Sequence, residues 1–160
     1  VPLFVIAVTS AFLRKYSGGA HCTSPNRCTF GGAFIFLILT FFVKIQMHFF
    51  NIYIYSIYLF LCLVISSGIM IRYCPVDSPN KPIVRPESKR RLRRASFVFI
   101  SCCTIIICVI TFIDIGFSPK TAHTIALSIG TGLFWQSFTL TAIGHSFTQW
   151  YDCVLKKIIQ

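Results

Sequence analysis

The stretch that decides the reading is residues 74–97, CPVDSPNKPIVRPESKRRLRRASF. It sets Lys81, Arg85, Lys89, Arg90, Arg91, Arg93 and Arg94 against only Asp77 and Glu87. Apolar sequence flanks it on both sides, 52–71 before and 97–113 after, and each block is long enough to approach the span of a bilayer. Lys and Arg between two such blocks are retained on the cytoplasmic side, so the segment 74–96 reads as a basic cytoplasmic loop that fixes orientation. Pro75, Pro79, Pro82 and Pro86 argue against one continuous helix through it.

Working outward, the composition supports a membrane protein. The chain is 55% apolar and only 12% charged, with 17 Phe and a mean hydropathy of +0.74. A soluble domain carries about a quarter charged residues. The fold expected is all-α, a polytopic transmembrane helix bundle treated as one domain, 1–160, with about five spans: 1–13 (partial), 30–50, 52–71, 97–113 and 122–147. Val1–Leu13 is too short to cross the hydrocarbon core and reads as a helix that has lost its beginning or is only partly embedded. The net charge of +11 does not indicate nucleic acid, because the charges lie between spans, where topology accounts for them. Anionic lipid headgroups are the expected partners of Lys89, Arg90, Arg91, Arg93 and Arg94, at about 1 kcal/mol per residue. The sequence names no protein partner. The alternative reading of Arg93-Arg94-Ala95-Ser96, a site for a basophilic kinase, suffers from the closeness of Ser96 to the next span.

Residues 16–29, rich in Gly, Ser, Pro and Asn, form an extramembrane loop carrying Cys22 and Cys28. These two make a disulfide if the loop faces an oxidising space, and remain unpaired thiols otherwise. The other cysteines show no metal-type spacing, and no cofactor or metal is expected. In the last span Thr124, Ser128, Gly132 and Gln136 recur every four residues, the pattern of close helix packing, so Ser128, Gly132 and Gln136 are assigned to packing rather than to a polar pathway. Lys44 and His48 share a helical face and read as side chains reaching the interface. Hydrolase triads, zinc-protease motifs, phosphate loops and paired carboxylates are missing, and four acidic residues leave little to build them from, so no catalytic residue is assigned and the chain reads as non-enzymatic.

From Arg27-Cys28-Thr29-Phe30-Gly31-Gly32 onward the chain resembles the DRAM (damage-regulated autophagy modulator) and Frag/Sfk-like membrane proteins. The basic loop ending at Arg93-Arg94, the span 97–113, and Trp135, Ser137, Phe138, Gly144, Phe147 and Asp152 look like that family's later spans and tail. The resemblance implies a regulator of autophagy or membrane-lipid signalling in lysosomal, endosomal or plasma membrane. A small transporter or channel subunit, with the polar last span as path lining, is the rival reading, and a non-functional fragment is a third. Two departures stand out. Phe134 and Gln136 flank Trp135 where the family usually has an acidic residue, and the family has six spans. Five spans with a cytoplasmic 74–96 would put the Cys22/Cys28 loop in the cytosol, whereas the resemblance puts it outside. A span missing at the joint Lys44–Asn51 would reconcile the two.

Overall fold

The computed structural model describes residues 1–49, 51–77, 85–112 and 118–158. Lys81, Pro79, Pro82 and most of the expected turn at 114–120 fall outside the described residues. The described chain is helical: α1 (Pro2–Ser17), α2 (Pro25–Phe49), α3 (Ile52–Tyr73), α4 (Pro86–Phe112), α5 (Pro119–Phe138) and α6 (Ala142–Ile158). It is a polytopic helical membrane protein.

Three of these helices are long and apolar enough to cross a bilayer: Pro25–Phe49, Tyr53–Tyr73 and Pro86–Thr111. Each turns large apolar side chains outward, as Phe30, Phe34 and Phe41 do from α2 and Ile57 and Phe60 do from α3. In lipid that exposure costs nothing, and the backbone polar groups are satisfied within each helix. The fourth apolar block differs from its expected form. The basic residues 89–94 are not in a loop but in the first turns of α4. Pro86 is tolerated as the first helical residue, where its missing N–H would have had no partner, so the helix begins there and carries the charges onto its end.

α5 forms the centre. Ala126, Leu127, Ile129 and Leu133 are buried, together with Ser128, Thr131 and Gln136, by contacts with α1, α3, α4 and α2. A helix enclosed by protein does not need the hydropathy of one facing lipid, and this accounts for its small, weakly polar composition. Apolar burial gives little drive between helices inside a bilayer, so close contact and hydrogen bonds take over. The Ser10 hydroxyl donates to the Gly132 carbonyl at 3.0 Å, and Tyr58 and Thr131 share a 3.2 Å hydroxyl contact. At Gly132 a Cβ would sit 3.0 Å from the Ile6 carbonyl oxygen, so the absence of a side chain sets how closely α1 approaches.

The expected span 122–147 is divided. α5 stops at Phe138, residues 139–141 turn, and α6 starts at Ala142. The Thr141 hydroxyl accepts from the Gly144 N–H at 3.1 Å, starting the new helix. α6 then returns along the first turns of α2.

Chain direction alternates so that the C-terminal ends of α1, α3 and α5 meet the N-terminal ends of α2 and α4. The Val76 N–H donates to the Ser17 carbonyl at 2.9 Å, and Gly18 and Val76 form a single parallel bridge. The segment after α3 and the loop after α1 therefore lie at one end of the bundle. This is the arrangement that the span count requires, and it departs from the opposite-side placement that the resemblance implied.

Candidate functional site

The loop 18–24 is built almost entirely by its neighbours' polar groups. Gly18 and Gly19 have φ of +73° and +136°, which lets the chain leave α1 and turn over the end of α5. The Gln136 amide donates to the Gly18 carbonyl at 2.8 Å and to the Ser17 hydroxyl at 3.3 Å. The Ala20 N–H donates to the Thr139 carbonyl at 3.2 Å. Arg14, in the last turn of α1, donates to the Ala20 carbonyl and, at 3.1 Å, to Nδ1 of His21. The chain then enters α2, whose first turn holds Cys28, with its N–H on the Ser24 carbonyl at 3.0 Å.

A cavity of about 400 Å³ opens between these elements, with His21 and Cys28 both in its wall. Arg14, Gln136 and Tyr151 add polar groups, and Ile35, Phe36 and Trp135 an apolar side. Guanidinium has no acceptor, so Nδ1 of His21 must accept from Arg14, and the neutral ring carries its proton on Nε2. Burial, then the charge of Arg14, then His145, lower the His21 pKa below its ordinary value and keep the imidazole neutral. Cys22 next to it is a different thiol. Burial pushes it up to about 11, although it donates to the Tyr151 hydroxyl at 3.1 Å.

A neutral imidazole and a thiol in one cavity, at a helix N-terminus that favours negative charge, are the parts of a cysteine nucleophile with its general base. That chemistry belongs to cysteine-dependent acyl transfer, which requires no carboxylate and no metal.

The comparisons place the chain within a family of that class. Residues 1–140 match the family model described as AgrB, accessory gene regulator B. The chain is 33% identical to an AgrB-like protein of Clostridium perfringens (strain SM101 / Type A), over 97% of this chain and 73% of that protein. It is 32% identical, over the same shares, to AgrB-like protein 2 of C. perfringens (strain 13 / Type A). No solved structure matches it. The chain belongs to the AgrB family.

That membership overturns the resemblance to the DRAM/Frag proteins, together with autophagy and the lysosome. It also overturns the non-enzymatic reading, since AgrB members are membrane cysteine-protease-like enzymes that process the AgrD propeptide, and it gives the transporter alternative no support. The physical reason for the error is plain: scarcity of carboxylates excludes acid pairs and triads but does not exclude a Cys–His pair. The signal was available in the sequence, a histidine seven residues before a cysteine that opens a helix. It was read as a Cys22–Cys28 question and His21 was passed over.

The other candidate residues are placed as follows. Cys22 and Cys28 are free thiols. Ser128, Gly132 and Gln136 lie on the buried side of α5, but only Gln136 reaches the cavity wall. Lys89, Arg90, Arg91, Arg93 and Arg94 are exposed on the first turns of α4, and Arg93 also donates to the Ile71 carbonyl at 2.8 Å. Ser96 is fully buried, donates to the Leu92 carbonyl and accepts from Cys74, which leaves a kinase no access. Lys44 and His48 are exposed near the far end of α2.

Proposed function

We propose that this chain is a membrane-embedded cysteine peptidase acting on a propeptide of the AgrD type, with Cys28 as nucleophile and His21 as general base. The observation that carries the reading is the shared cavity of His21 and Cys28 at the end of a bundle whose family has this activity.

The imidazole takes the thiol proton and the Cys28 sulfur attacks the scissile carbonyl carbon. The C–N bond then breaks, the leaving amine takes the proton from the imidazolium, and a thioester remains on Cys28. Water attacks that thioester, releasing the acid and restoring the thiol. The only lone pair on the neutral ring is the one facing Arg14, so proton transfer requires that bond to open when substrate enters.

The cytoplasmic side of a plasma membrane is the proposed location of the site, because the basic turns 89–94 lie on the same end and basic segments stay inside. Those turns are proposed to rest on anionic headgroups. In that reducing space Cys22 and Cys28 remain thiols, as the chemistry needs.

The test is cleavage of an AgrD-type propeptide by the full chain in vesicles. Cys28→Ala and His21→Gln should each abolish cleavage at normal membrane levels. A Cys28→Ala chain that still cleaves would exclude the reading.

A further inference from the structure

The two candidate reacting residues are separated by a loop, and that loop is held from a distant part of the chain. Asp152 lies two-thirds of the way along α6, outside the residues 1–140 matched by the family model. Its side chain is nearly enclosed, with 7% of the residue exposed. One carboxylate oxygen accepts from the Thr23 N–H at 3.1 Å and from the Thr23 hydroxyl at 2.7 Å. The other accepts from Arg27 Nε at 3.0 Å, and Arg27 in turn donates to the Thr23 hydroxyl at 2.6 Å. Thr23 is two residues after His21, and Arg27 immediately precedes Cys28. The neighbouring Tyr151 accepts from Cys22 and lines the cavity.

We infer that Asp152 is a positioning residue: by holding Thr23 and Arg27 together it fixes the spacing and orientation of His21 and Cys28. This rests on the proposed roles of those two residues. An acceptor-only carboxylate suits the task, because the loop presents only donors to it, and charge-assisted bonds are the short and directional ones. Burial works against the charge on Asp152, but the Thr23 hydroxyl and N–H and then Arg27 outweigh it and hold the pKa below the ordinary carboxylate value. The carboxylate is therefore charged, and the clamp intact, at neutral pH.

The geometry also separates positioning from plain stability. Asp152 approaches the loop and not the cavity wall, so its loss leaves the substrate-binding surface in place while loosening the reacting pair. Asp152→Asn keeps the shape but replaces one acceptor oxygen with a donor that meets donors.

The experiment measures propeptide cleavage and the rate of Cys28 alkylation by iodoacetamide, using the full chain in vesicles. Asp152→Asn should lower kcat by about 100-fold, the cost of a small misplacement of reacting groups, and change KM by no more than about threefold. The folded fraction is read separately, from the unfolding midpoint of the detergent-solubilised variant, while Cys28 alkylation is followed on its own peptide by mass spectrometry. Thr23→Val should lower kcat less, and the double variant should be no worse than Asp152→Asn alone, the sign of one shared interaction. Unchanged kcat in Asp152→Asn, additive losses, or a loss matched by a fall in folded protein would each overturn the inference. If Cys28→Ala abolishes cleavage while Asp152→Asn is normal, only the positioning role falls. If Cys28→Ala cleaves, the underlying reading falls with it.

Discussion

At the scale of single residues, His21 is defined by what surrounds it rather than by its own chemistry. Burial, Arg14 at the end of α1 and His145 on α6 all disfavour its protonated form. Activity that needs the neutral ring should therefore persist to a lower pH than an ordinary histidine would allow. Arg14→Met removes a positive charge, so the His21 pKa rises and the acidic limb of the kcat/KM profile should move to higher pH. The same profile should move less in His145→Ala. A limb that stays where it is in Arg14→Met would show that the guanidinium does not tune the ring. Arg14 also donates to the Ala20 carbonyl, so the variant's peak rate should fall as well.

At the scale of elements, α5 shows what a helix enclosed by other helices is made of. Its Ser, Thr and Gly content led to a helix-packing reading, and it is the helix around which α1, α3 and α4 are arranged. Gly132→Ala would bring a methyl to 3.0 Å from the Ile6 carbonyl oxygen and 3.1 Å from Thr9 Cβ, so α1 must shift. The expected cost is about 1–3 kcal/mol, read as a lower unfolding midpoint of the detergent-solubilised chain. A midpoint equal to the parent's would mean that α1 yields freely there.

The apolar blocks of α2, α3 and α4 were legible because a helix facing lipid must be apolar all round. The break at 139–141 was not, because it depends on Thr141 capping α6 and on α6 folding back over α2, a contact that no local pattern records. The basic turns of α4 were misread for a related reason: Pro86 is a helix breaker inside a helix and a helix starter at its first position. Part of the site was legible. Cys22 and Cys28 drew notice because they share a polar loop, whereas Tyr151 and Asp152 come from more than 120 residues away in the chain and could be found only through the fold.

At the scale of the whole molecule, the bundle has one chemical end. The loop holding His21, the start of α2, the segment after α3 and the basic start of α4 all lie there. Cys153 is exposed and adjoins Asp152, which touches Thr23, so it belongs to the same end. A membrane-impermeant maleimide should label Cys153 and a cysteine introduced by Arg85→Cys from the same side of sealed vesicles. Labelling from opposite sides would break the common-face arrangement. The positive-inside rule predicts that the shared side is the cytoplasmic one.

The bond from the Val76 N–H to the Ser17 carbonyl is made by main-chain atoms, as is the bond from the Ala20 N–H to the Thr139 carbonyl. These anchors of the loop 18–24 are main-chain bonds that need an N–H at 76 and at 20. A proline at either position would remove the donor and release the loop there. If the proposed function holds, the cavity lining can change which peptide is bound while these main-chain bonds keep His21 and Cys28 in place.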